Sequence, residues 1–172
     1  KGCLEAIQSV VKELGMTGIK IGIVEGDDIL DQIPELMASG EKFKNLDNGA
    51  AVDSILDKMS SANVYIGAKP IVDALAQGAD IVVTGRSTDP SLVVAPLIHE
   101  FGWSMEDFDK LAAGTVMGHI LECGAQCTGG NYNDWRNVPD FARIGYPVVE
   151  AKADGTFVVT KHEGTGGLVN VD

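Results

Sequence analysis

At 172 residues the chain is the size of one domain, and 45% hydrophobic with 22% charged residues fits a packed globular core rather than a disordered tract. A net charge of −12 argues against a nucleic-acid or anionic-membrane surface, since both need clustered Lys and Arg, and no apolar run approaches the roughly 20 residues of a membrane span. Three cysteines without framework spacing and no signal-peptide pattern point to reduced thiols in the cytoplasm, or in the mitochondrion of a eukaryote.

Residues 4–14 place Leu4, Ile7, Val10, Val11 and Leu14 on one helical stripe, with Gly15 as the stop. Residues 19–24 (IKIGIV) read as a buried parallel strand that ends in Glu-Gly-Asp-Asp. Asp27 or Asp28 is placed to cap a helix along Ile29, Leu30, Ile33 and Leu36, which Pro34 breaks or kinks. A polar loop over 41–48 and a short helix over 54–59 follow. Residues 64–66 read as a second strand, and Lys69-Pro70 opens a helix that stops at Gly78. Residues 80–84 (DIVVT) form the third predicted strand, ending in Gly-Arg-Ser-Thr-Asp-Pro. Thr88 or Asp89 then caps a helix to Phe101, and Ser104 caps the next, with Glu106 and Asp107 in its first turn. That helix carries His119 and Glu122 and runs into a Thr-Gly-Gly turn at 128–130. Residues 128–140 read as loop. Residues 146–151 and 156–161 pair around Ala-Asp-Gly as a hairpin, and GTGG follows at 164–167.

Short apolar strands alternating with helices predict an α/β fold of βαβ units, a mostly parallel sheet flanked by helices, plus a C-terminal antiparallel hairpin. The expected organisation is a single α/β domain over 1–172, with βαβ units over 1–103 and helix, glycine-rich loop and hairpin over 104–172. The first residues are already helical and the last open a new element, which predicts a fragment of a longer chain, truncated at both ends.

In an open α/β sheet, ligands bind beyond the carboxyl ends of the strands, so the turns there are the places to look. Asp27, Asp28 and Asp89 are candidate substrate-binding groups, with helix capping as the rival reading. Arg86 follows an apolar strand beside a helix start, where a cation has no capping role; an anionic ligand or an aspartate partner explains it. His119 and Glu122, three apart, share a helix face and read as an acid–base pair, as two metal ligands, or as a core histidine bonded to a neighbour. No further ligands accompany them, so neither a metal nor a cofactor is expected. Cys123 and Cys127 lack zinc spacing; a nucleophile beside His119 competes with simple packing of small thiols. The glycines at 129, 130, 164, 166 and 167 (Gly129, Gly130, Gly164, Gly166, Gly167) offer backbone N–H groups to phosphate or carboxylate, or form plain tight turns. Neither loop is a Walker A motif or a dinucleotide fingerprint. Gly114, Gly118, Gly124 and Ala125 leave the His119 helix thin, so that a neighbour packs close.

Several runs resemble the acyclic terpene utilization AtuA family: VEGDD at 24–28, ANVYIGA at 62–68, ADIVVTGR at 79–86 with Asp89 and Pro90, and LAAGT at 111–115. GHILECGAQ at 118–126, TGG at 128–130 and GTGG at 164–167 belong to the same pattern. The resemblance covers almost the whole chain in order. It implies a part in the breakdown of acyclic terpenes through branched acyl-CoA thioesters, by a lyase or hydratase step on a 3-hydroxyacyl-CoA. It also implies an alternative, a non-catalytic ligand-binding or assembly domain of an acyl-CoA carboxylase-type complex. A small-molecule substrate and a homo-oligomer are expected, with His119, Glu122 and Arg86 as the catalytic candidates.

Overall fold

The computed structural model describes residues 2–170, which form a mixed α/β chain. Among the described residues there are five α-helices, a two-stranded parallel sheet and an antiparallel hairpin. They fall into two compact units. The first holds the N-terminal stretch through Gly67 together with Ala79–Ser87; the second holds Ala68–Gly78 and the stretch from Thr88 onward.

In the first unit, α1 (Gly2–Glu13) ends as its sequence dictates. Gly15 takes φ 64°, and the N–H groups of Gly15 and Met16 donate to the carbonyls of Lys12 and Val11, the two bonds of a Schellman cap. Strand β1 (Ile21–Val24) pairs in parallel with β2 (Ile81–Thr84), Ile21 opposite Ile81 and Val24 opposite Thr84. Two strands form where three were expected. Residues 64–66 make no ladder: the Val64 and Ile66 N–H groups donate to the Asp27 and Arg86 carbonyls, in the turns that follow β1 and β2. Single bridges, Asp28 to Asn63 and Ile66 to Ser87, replace the strand, and the mostly parallel sheet shrinks to one strand pair. Helix α2 (Ile33–Ala38) begins one residue before Pro34, preceded by a 3-10 turn at Leu30–Gln32. The proline therefore opens a helix, where its missing N–H costs nothing, and breaks the longer one expected. The short helix expected over 54–59 is two 3-10 turns, Val52–Ser54 and Leu56–Lys58.

The second unit is built on three helices: α3 (Lys69–Ala76), α4 (Ser91–Phe101) and α5 (Phe108–Cys123). Val94, Ile98, Trp103 and Met117 form its buried core, flanked by Val72, Leu97, Leu111, Val149 and Phe157. The Trp103 indole N–H donates to the Ala153 carbonyl at 2.8 Å, so this large ring is buried with its one polar atom satisfied. Strands β3 (Pro147–Ala151) and β4 (Phe157–Lys161) form the predicted hairpin. Its turn is set by Gly155 at φ 90° and by Asp154, whose carboxylate accepts from the Thr156 N–H at 2.9 Å and hydroxyl at 2.7 Å. These bonds hold the Asp154 carboxyl below its usual range.

Candidate functional site

Helix α5 is thin where the sequence makes it so. A Cβ on Gly118 would stand 2.7 Å from Pro90 Cα, and one on Gly114 would stand 3.3 Å from the Trp103 ring. The start of α4 therefore lies directly on the α5 backbone, an approach that a side chain at 118 would block. The helix ends at Cys123, because Gly124 takes φ 55° and a Tyr146 ring atom occupies the place its Cβ would need, 2.5 Å away.

The last turn carries an imidazole and a thiol. His119 is exposed, Cys123 is half-buried, and the Cys123 Sγ lies 3.7 Å from Nε2 and 3.9 Å from Nδ1 of His119. Glu122 is exposed and, among the described residues, has no hydrogen-bond or ion-pair partner. His119 makes no hydrogen bond to Glu122; four-residue spacing on the last turn instead brings the Cys123 thiol to the imidazole. Cys127 lies in the 3-10 turn that follows, Gly124–Thr128. Partial burial, and then its neighbour Cys123, push the Cys127 thiol above its ordinary 9.0, which keeps it protonated at neutral pH. Among the described residues no three His, Cys, Asp or Glu side chains stand close enough to hold a metal ion.

Cys127 also lines a cavity of about 230 Å³ with Gln126, Asn131, Tyr132 and Asn170. A shallower basin of about 580 Å³ shares Asn131 and Tyr132 and is bounded by Asn133, Trp135 and Phe141. An imidazole, two thiols and a groove thus adjoin in sequence within one unit.

Three of the five candidate glycines already have their N–H groups engaged. The N–H groups of Gly129 and Gly130 both donate to the Ala125 carbonyl, and that of Gly166 donates to Arg143. What these glycines supply is closeness. A Cβ on Gly166 would stand 2.3 Å from Asp140 Cβ, and one on Gly167 would stand 2.4 Å from the Ile144 carbonyl oxygen. The two loops do lie together: Leu168 N–H donates to the Thr128 carbonyl at 2.8 Å, while the buried Thr128 hydroxyl donates to Gly145 at 2.7 Å. Gly164 turns the chain at φ 74° and is exposed.

At the strand ends of the first unit, Asp27 is a brace rather than an open acid. Its Oδ2 accepts from the Arg86 backbone N–H and from the Asn63 amide, each at 2.9 Å. The Arg86 N–H above all, with Asn63 assisting, holds the Asp27 carboxyl below 3.8. A Cβ on Gly85 would fall 1.8 Å from Asp27 Oδ1, so a side chain there would push the carboxylate off its donors. The aspartate therefore grips Arg86 through its backbone, and the exposed guanidinium has no ion-pair partner among the described residues. Asp28 acts as a local cap, accepting from the Leu30 N–H at 3.1 Å. Asp89, in the second unit, is exposed and its carboxylate has no hydrogen-bond partner among the described residues; helix α4 is preceded by Pro90 rather than capped by Asp89 or Thr88.

The profile of the family described as acyclic terpene utilisation family protein AtuA matches residues 1–172, the whole chain. The chain belongs to the acyclic terpene utilisation family. No curated protein and no solved structure matches it.

In this member of the terpene utilisation family, the four-residue step from His119 is the signal in the sequence that points to Cys123. The groove walls at Asn131, Tyr132, Trp135 and Phe141 carry a weaker one. There the sequence shows a run of amides interleaved with aromatics, a pattern that reads as plain loop until its side chains are placed. Among the described residues no helix is long and apolar enough to cross a membrane.

Proposed function

We propose that this terpene-utilisation domain acts on a branched 3-hydroxyacyl thioester in a lyase-type step, with His119 and Cys123 as its proton-transfer pair. The reading rests on the contact of 3.7 Å between the Cys123 sulfur and His119 at the exposed end of α5. An imidazole is the side chain best matched to proton transfer near neutral pH, and a thiol within reach makes the transfer two-ended.

In this scheme the His119 imidazole takes the proton of the 3-hydroxyl. The C2–C3 bond breaks, C3 becomes a carbonyl, and the bonding pair moves onto the thioester as an enolate. The Cys123 thiol gives its proton to C2, and the His119 imidazolium then returns a proton to the Cys123 thiolate. The products are a ketone and a shortened acyl thioester, and both side chains end as they began.

The test is incubation of the full protein with branched 3-hydroxyacyl-CoA thioesters and detection of ketone and shortened thioester by mass spectrometry. Absence of both products across a set of branched chains rejects the lyase reading. A second reading, a non-catalytic ligand-binding or assembly domain of a carboxylase-type complex, draws on the internal bonding of Gly129, Gly130 and Gly166, which leaves those donors unable to stabilise an oxyanion. Thermal stabilisation by the thioester without turnover selects that reading.

A further inference from the structure

The groove beside Cys127 has a composition that proton transfer does not explain. Its outer wall is an aromatic pair left in water: Trp135 and Phe141 are 53% and 45% exposed and meet edge-on with ring centroids 6.3 Å apart. The Arg136 guanidinium lies over the Trp135 ring, 4.7 Å from its centre, and covers part of that ring. The polar lining is made chiefly of side-chain amides, those of Gln126, Asn131, Asn133 and Asn170. Each amide offers two donor hydrogens and an acceptor oxygen. Among the described residues no Asp, Glu, Lys or Arg lines either part of the groove. The lining itself holds no charge to pair with a phosphate or an ammonium, and the Arg136 guanidinium at the outer wall is engaged with the Trp135 ring. What fits is an uncharged ligand with a flat face for the ring wall and mixed donors and acceptors on its edge. The two adjoining cavities, about 230 and about 580 Å³, have the size of a small-molecule site.

We propose that this groove binds a neutral heteroaromatic ring of nucleobase type, stacked on Trp135 with its edge hydrogen-bonded by the amides of the groove. The site stands apart from the lyase scheme and holds whether or not that scheme does.

Adenosine is the probe. Of the two tryptophans, Trp103 is 5% exposed and Trp135 is 53% exposed, so quenching of tryptophan emission in the full protein reports on Trp135. Saturable quenching by adenosine is expected, with no response to methyl glucoside, a neutral ligand without an aromatic face. Asn131→Ala and Phe141→Leu, which keep the reporter, should each weaken adenosine by roughly fivefold to tenfold. Trp135→Leu, followed by calorimetry, should weaken it by about tenfold or more, the usual size of a lost base-stacking contact. The positions are exposed, and unchanged circular dichroism would show that each variant folds. Absence of a saturable adenosine signal overturns the proposal. So does binding that all three variants leave intact, or saturation by the glucoside in place of adenosine.

Discussion

Replacing Gly118 by alanine puts one methyl group at the closest helix contact in the second unit. The new Cβ would stand 2.7 Å from Pro90 Cα and 3.0 Å from both the Pro90 carbonyl oxygen and Pro90 Cβ. Two of these atoms are backbone at the entry to α4, which cannot rotate away, so the helices must separate. Overpacking of this kind costs about 1–3 kcal/mol. A rigid obstacle belongs in the upper half of that range, while alanine returns about 1 kcal/mol of helix propensity over glycine. The net loss is about 1–2 kcal/mol, or roughly 2–8 °C in midpoint for a chain of this length. Gly114→Ala is the internal control. Its Cβ meets only side-chain atoms, at 3.3 Å from Trp103, 3.4 Å from Val94 and 3.5 Å from Leu97, which can give by a few tenths of an ångström. The propensity gain should offset that small crowding, leaving the variant within about 1 kcal/mol of the parent. Thermal melts followed by emission of the buried Trp103 report on this unit. If the two variants melt together, or Gly118→Ala is the more stable, the close approach of α4 to α5 is not what the glycine serves.

Asp27 should make the first unit acid-labile. Its folded-state carboxyl is held below 3.8, so its contribution is present above the unfolded pKa and is lost as pH falls through the folded one. The stability gap between parent and Asp27→Asn should therefore be constant from pH 7 to about pH 4 and shrink below it; a gap that widens on acidification contradicts the brace. Gly85→Ala, whose Cβ would fall 1.8 Å from Asp27 Oδ1, should lower stability at neutral pH, as read by denaturant titration. For Cys127, the rate of alkylation by iodoacetamide, read by peptide mass spectrometry, should rise with a midpoint above pH 9.0, because burial raises the thiol; a midpoint at or below that value refutes it.

Local signals carried much of the fold. Gly15 as a helix stop, IKIGIV and DIVVT as strands and Asp-Gly as a hairpin turn each follow from backbone chemistry within a few residues. The stretch at 64–66 misled because its apolar residues suit a strand, while its N–H groups found carbonyls in two turns that only the folded chain brings near. Val64 and Tyr65 are accordingly 43% and 63% exposed. The site was legible in the same partial way. Periodicity put His119 on one helical face with both Glu122 and Cys123, but it could not say which of them reaches the ring. That is decided by the side-chain rotamers of the folded helix, which place the Cys123 sulfur 3.7 Å from the ring. The glycine motifs were conspicuous in sequence, yet the N–H groups of Gly129, Gly130 and Gly166 serve carbonyls inside the same unit, a use that spacing alone does not reveal.

In the proposed reaction, His119 and Cys123 together move protons on a branched 3-hydroxyacyl thioester. Its most direct test compares single-turnover cleavage by the parent, His119→Ala, Cys123→Ser and the double variant, with His99→Ala, an exposed histidine on α4, as control. A loss of about 10²–10⁴-fold is expected for His119→Ala, the size of a general acid–base contribution. A comparable loss is expected for Cys123→Ser, with little further loss in the double variant because the two act as one unit, and full activity in the control. Full cleavage by His119→Ala, or losses that simply multiply in the double variant, would contradict it.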